Sequence, residues 1–184
     1  MTSNILLDEF ISFSKIARLS RECIITEKID GTNGQILIKD GIIVKVGSRN
    51  QWITPQKDNH GFAKWIEQNK NELIKLGDGR HFGEWWGLGI QRGYDLFEKR
   101  FSLFRFPKNA KELPKCVYMV PKLYEGEFDT HMIEKVLTQL AISGSQAAPG
   151  FEKPEGIVIY HKAAGVLFKK TIENDEKPKG EPNE

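Results

Sequence analysis

The stretch QILIKDGIIVKVGS, Gln35 to Ser48, alternates apolar and polar residues on both sides of Asp40-Gly41. Alternation with period two sends one set of side chains to a core and the other outward. Asp-Gly tolerates the positive φ that a type I′ turn demands, so Gln35 to Lys39 and Ile42 to Ser48 are expected to pair antiparallel. This hairpin commits the chain to an antiparallel sheet.

The rest of the chain is read around that commitment. Cys23-Ile24-Ile25 reads as a buried strand, and so do Phe82–Trp86, Ser102–Phe106, Val117–Val120, Gly156–Tyr160 and Gly165–Thr171. From Gly61 to Leu76 the apolar residues Phe62, Trp65, Ile66, Leu73 and Leu76 recur at helical spacing, and Gly77 suits a left-handed cap. A second helix is expected from Asp129-Thr130 to Ala141, with Met132, Ile133, Val136, Leu137 and Leu140 on its inner side. Hairpins outnumber βαβ units, which predicts an α+β fold: two largely antiparallel sheets with flanking helices.

Bulk properties narrow the function classes. With 184 residues, 39% of them hydrophobic and 28% charged, the chain suits one compact soluble domain over residues 1–172. The last twelve residues, ENDEKPKGEPNE, carry five acids and two lysines and no large apolar residue, so 173–184 is expected to be disordered. This tail holds −3 of a net +2, leaving +5 on the body, a balance that suits an anionic ligand. No run reaches the ~20 apolar residues of a membrane span, and Met1 to Asp8 lack a leader pattern, so a cytoplasmic protein is expected. Cys23 and Cys116 lie far apart in strand-like runs and are read as core residues. His60, His81, His131 and His161 show no ligand spacing, which argues against a zinc site. The glycine-rich GLGIQRG, Gly87 to Gly93, follows no phosphate-loop pattern and is read as a flexible loop, while Trp85 and Trp86 are assigned to the core.

Chemistry enters at TEKIDGTNG, where Lys28 ends an apolar run and Asp30-Gly31 follows. Downstream, in order, come Ser48-Arg49, Glu84 in FGEWWG, Phe101 and Phe104 in RFSLFRF, Glu155-Gly156, and Lys169-Lys170 in LFKKT, each on or beside an expected strand. Phosphates call for Lys and Arg, a ribose for a carboxylate acceptor, a base for an aromatic face and a divalent metal for an oxygen ligand. The ordered set meets all four needs.

In this order the motifs resemble those of the covalent nucleotidyltransferases, the superfamily of ATP-dependent DNA and RNA ligases and mRNA-capping enzymes. Within it they resemble the RNA ligases most, from about Ser14 to Thr171. The resemblance implies a nucleotide cleft between two antiparallel sheets and attack of Lys28 on the ATP α-phosphate to give lysyl-AMP. It implies that the main chain at Glu27 meets adenine, that Arg49 lies near the ribose and the RNA end, and that Glu84 binds the ribose. It further implies that Phe104 stacks on adenine, that Glu155 binds Mg²⁺ or Mn²⁺, and that Lys169 and Lys170 form the last phosphate-binding motif. That motif normally reads Lys-x-Lys, whereas here Thr171 stands in the second place; on a strand Thr171, not Lys170, shares the face of Lys169.

The chemistry of Lys28 follows from general principles. A lysine amine attacks phosphorus only after losing its proton, which a desolvated strand end, nearby cations and a bound Mg²⁺ all favour. The resemblance then implies transfer of AMP to an RNA 5′-phosphate and sealing by a 3′-hydroxyl. Only 13 residues follow Thr171, so the oligonucleotide-binding-fold and helical C-terminal domains of larger ligases are expected to be absent or supplied by a partner. DNA nick sealing, or a nucleotide- or RNA-binding module without catalysis, are the alternatives.

Overall fold

The computed structural model describes residues 10–108 and 110–176, within which lie ten strands and two α-helices. The first sheet has the strand order β10-β9-β1-β8, all antiparallel, built from β1 (Glu22–Lys28), β8 (Lys122–Glu127), β9 (Gly156–His161) and β10 (Val166–Thr171). The second runs β4-β3-β2-β5-β6-β7, from β2 (Thr32–Lys39), β3 (Ile42–Gly47), β4 (Trp52–Ile53), β5 (Gly79–Gly87), β6 (Lys99–Leu103) and β7 (Val117–Met119). Only β6 and β7 run parallel. The α+β architecture agrees with the alternation in the sequence.

Each sheet buries one face under a helix. Helix α1 (Phe62–Leu73) covers the second sheet, where Phe62 and Ile66 join Ile36, Ile38, Trp85, Phe101 and Leu103 in one apolar cluster. Asp58 accepts hydrogen bonds from the backbone N–H of Ala63 and Lys64 at the start of α1, at 2.8 and 3.1 Å, satisfying two of its orphan donors. Helix α2 (Thr130–Ser143) covers the first sheet through Ile133, Leu137 and Leu140 against Cys23, Ile25, Ile157 and Ile159. A third cluster, Ile29, Trp86, Tyr94, Val120 and Ala148, joins the two sheets.

The expected hairpin forms as β2 and β3, with Asp40 and Gly41 at φ 51° and 69° in the turn. Two sequence expectations are corrected and one strand is new. The strand expected over Ser102–Phe106 is Lys99–Leu103, so Phe104 and Phe106 lie past its end and are exposed. GLGIQRG is a packed turn rather than a loose loop: Ile90 is fully buried and bridges to Gly87. Strand β8 is absent from the sequence reading altogether, because KLYEGE is an edge strand of the sheet and only half-buried. Cys23 is buried and Cys116 half-buried, both as free thiols. Most of the tail, 177–184, lies outside the described residues; within it, Asp175 accepts a hydrogen bond from the Thr171 N–H at 2.8 Å. Among the described residues, no helix is long and apolar enough to cross a membrane.

Candidate active site

The site is built where β1 ends. Lys28 is the last residue of β1 and lies opposite Gly156 of β9, which lies opposite Thr171 of β10. Side chains on the central strands alternate, so Ile25 and Glu27 face α2 while Thr26 and Lys28 face the other way. Glu155 immediately precedes β9, and the Lys28 amine donates a 2.5 Å hydrogen bond to its carboxylate. The Lys28 side chain is 21% exposed and that of Glu155 5%, so the charge pair is only partly desolvated. Gly156 keeps this junction open: its φ is 156°, and a β-carbon there would collide with the Lys170 carbonyl.

Register decides the last motif. Lys169 lies opposite Val158, which lies opposite Thr26, so Lys169 and Thr171 share the face of Lys28. Lys170 falls on the α2 face, where it pairs with Glu134 at 3.2 Å. Lys170, expected to contact the nucleotide, is therefore turned away from Lys28. Period-two alternation is the physical reason.

Glu27 has a role that the sequence did not reveal. Its carboxylate is buried and accepts hydrogen bonds from the Ser145 hydroxyl at 2.6 Å and from the N–H groups of Gln146 and Ala147 at 2.8 and 3.0 Å. Burial pushes its pKa up, and those three donors pull it back. The side chain thus fastens the segment after α2 to the strand that carries Lys28.

Across from Lys28, β5 supplies Glu84, which is 8% exposed. Its two oxygens accept from the Gly31 N–H at 3.2 Å and the Asn33 side-chain amide at 2.8 Å. Desolvation raises its pKa to about 7, against the opposing pull of Asn33, Lys28 and Gly31 and with a further push from Glu155. Gly31 is required for this approach, because a β-carbon there would lie 2.5 Å from the Trp85 carbonyl oxygen and 3.0 Å from Glu84 Cγ. The Asp30-Gly31 turn is also held from behind. Asp30 donates its N–H to the Tyr94 hydroxyl at 2.8 Å and accepts from Arg92 Nε at 3.2 Å, while Arg92 also donates to the Lys153 carbonyl. Asn33, Arg92, Tyr94 and Ser145 were missed in the sequence reading. Only the unusual polarity of GIQRGYD inside an apolar context could have signalled two of them.

The remaining candidates are spread along the second sheet. Phe104 is 44% exposed and donates its N–H to the Phe82 carbonyl just past β6, whereas Phe101 is fully buried, so of the two only Phe104 offers a ring face. Arg49 is exposed in the turn from β3 to β4, at the end of the sheet where Asn33 and Glu84 face each other. Lys28, Glu155, Glu84 and the Lys169 face therefore converge, while Phe104 and Arg49 flank them on the neighbouring sheet. Among the described residues no group of three or more His, Cys, Asp or Glu side chains could hold a metal ion alone. Glu155 beside Lys28 does suit a small hard cation that takes one or two carboxylates and completes its shell with phosphate and water. A surface groove of about 500 Å³ lies elsewhere, between the β3–β4 edge and α1, and is lined mainly by apolar residues such as Val44 and Ile66.

Comparison with known proteins agrees with the fold. A family model described as RNA ligase matches residues 21–171. No sequence among curated proteins matches the chain. Solved structures of Naegleria gruberi RNA ligase variants resemble it in fold. One without ligand gives a TM-score of 0.59 at 22% identity, and others with ATP and Mn and with AMP and Mn give 0.59 at 21% and 20%. In each case the match covers 83% of this chain and 50% of the other, so the chain spans about half the length of these proteins.

Proposed function

The chain belongs to the RNA ligase family, and on that premise we propose that it is an ATP-dependent RNA ligase whose first step loads AMP onto Lys28. The observation that carries this reading is the placement of the Lys28 amine against Glu155, on the face it shares with Lys169 and across from buried Glu84. The Lys28 nitrogen, once deprotonated, attacks the α-phosphorus; a P–N bond forms, the bond to the β-phosphate breaks, and pyrophosphate leaves. Glu155, hydrogen-bonded to that nitrogen, is positioned to take its proton. Lys169 offsets phosphate charge on the same face, Phe104 presents a ring face for adenine, and Glu84 accepts from the ribose hydroxyls. A bound Mg²⁺ or Mn²⁺, held in part by Glu155, would neutralise charge on the phosphates and the departing pyrophosphate. An RNA 5′-phosphate then displaces Lys28 from the AMP, and a 3′-hydroxyl displaces AMP to seal the strand.

The test is the intact mass of the protein, first treated with pyrophosphate to strip any resident AMP, then incubated with ATP and Mg²⁺. A gain of one AMP that survives denaturation and is lost in Lys28→Ala is expected. No gain in the stripped wild-type protein rules the reading out. RNA and DNA substrates with equal ends then separate RNA sealing from DNA nick sealing.

A further inference from the structure

On the face of the second sheet opposite α1, the register aligns a straight row across four strands and one strand end. Trp52 lies opposite Gly47, Gly47 opposite Gln35, and Gln35 opposite Phe82, whose carbonyl accepts the N–H of Phe104. Their neighbours Ile36 and Ile53 point into the core, so the row points outward. Trp52, Phe82 and Phe104 are 42%, 50% and 44% exposed, an unusual outlay of aromatic surface for one face. At Gly47 a β-carbon would strike the Gln35 side chain at 2.8 Å, so Gln35 lies flat over the glycine and forms a low floor between the rings. The adjacent row is Lys45, Leu37 and Arg80. Lys45 Nζ sits 5.1 Å and Arg80 Cζ 5.3 Å from the centre of the Trp52 ring, and Arg80 donates to Gln35 at 2.6 Å. Neither row contains an acid.

We infer that Trp52 and Phe82, backed by Lys45 and Arg80, form a stacking track for single-stranded RNA that leads along the sheet to the nucleotide site. Exposed rings alone would suit many partners; rings with cations along one side and no acid in either row suit a polyanion whose units carry π faces. With strands ~4.8 Å apart, Trp52 and Phe82 stand roughly 14 Å from each other, leaving room for bases between them over the Gln35 floor. Phe104 ends the row beside Glu84's strand, so the track and the AMP site share one face. This inference deepens the ligase reading and rests on it for the direction of the track, but its test uses no ATP.

Binding of a short, dye-labelled single-stranded RNA of mixed sequence is measured by anisotropy across a salt series. Trp52→Ala combined with Phe82→Ala should weaken binding about tenfold or more, since stacking is worth ~1–3 kcal/mol per base, while AMP loading from ATP is unchanged. Trp52→Phe should keep most of the affinity but remove the quenching of exposed tryptophan emission by RNA. Lys45→Gln with Arg80→Gln should flatten the salt dependence by roughly 0.7 for each cation removed. Unchanged RNA affinity in the double alanine variant overturns the proposal. So does equal binding of an abasic oligonucleotide, RNA binding that leaves Trp52 emission unaltered, or a preference of this face for a protein with no RNA affinity. Failure of AMP loading in the wild type would instead count against the ligase reading and leave these measurements interpretable.

Discussion

At the level of single residues, burial sets the chemistry more than residue type does. Glu84 is an ordinary carboxylate until the fold dries it, and its pKa then reaches about 7. A raised carboxylate pKa means that the folded state binds the proton more tightly than the unfolded one. Its effect on stability is therefore most favourable below pH 4.5 and declines as pH rises to about 7. The shift corresponds to roughly 3 kcal/mol over that window at ~1.4 kcal/mol per unit. Glu84→Gln should largely remove this slope, which chemical denaturation of both proteins from pH 5 to 8 would measure; an unchanged slope assigns the pH dependence elsewhere, first to buried Glu27. Lys28→Arg makes a complementary case. It keeps a cation beside Glu155 but offers no amine that deprotonates near neutral pH, so stability is retained and the AMP adduct vanishes in the intact mass.

At the level of elements, a strand converts a one-residue difference into opposite faces of a sheet. Lys169 and Lys170 are neighbours in sequence, yet the first shares the face of Lys28 and the second pairs with Glu134 of α2. Lys169→Ala should lower the rate of adduct formation by at least tenfold, whereas Lys170→Ala should leave it within about twofold, loss of one positioned phosphate contact costing ~1.4 kcal/mol or more. Equal defects in both variants would mean that β10 shifts its register when nucleotide binds. Thr171, on the face of Lys28 and hydrogen-bonded through its N–H to Asp175, stands there beside Lys169. Turns matter as much as strands here. Asp30-Gly31 is close enough to β5 for its backbone N–H to reach Glu84 only because Gly31 has no side chain.

At the level of the molecule, two sheets with separate helix-covered cores are joined by a small third cluster around Tyr94. Tyr94 holds a left-handed backbone at φ 55°, packs edge-on to Trp86 at 5.0 Å and against Phe151 at 4.6 Å, and hydrogen-bonds the turn after Lys28. Tyr94→Phe keeps the ring and deletes the acceptor for the buried Asp30 N–H. Unfolding free energy should fall by about 1–3 kcal/mol with an unchanged denaturant slope, as for any unsatisfied buried donor. Adduct formation should slow as well, since the same turn sets the position of Lys28 relative to Glu84. A stability loss with unimpaired adduct formation would show that the junction supports the fold alone.

The sequence by itself determined the elements and much of the chemistry. Alternation around Asp40-Gly41 announced the hairpin, apolar spacing announced both helices, and the ordered run Lys28, Glu84, Phe104, Glu155 and Lys169 marked out a candidate site, because period and residue type are local properties. Tertiary structure alone decided which of those residues meet. It paired Lys170 with Glu134, tied the Glu27 carboxylate to the segment after α2, drew Arg92, Tyr94 and Ser145 in behind the candidate site, and raised Glu84 toward neutrality. Desolvation and long-range hydrogen bonds are properties of chain segments brought together from far apart, 127 residues in the case of Lys28 and Glu155, and no local pattern encodes them.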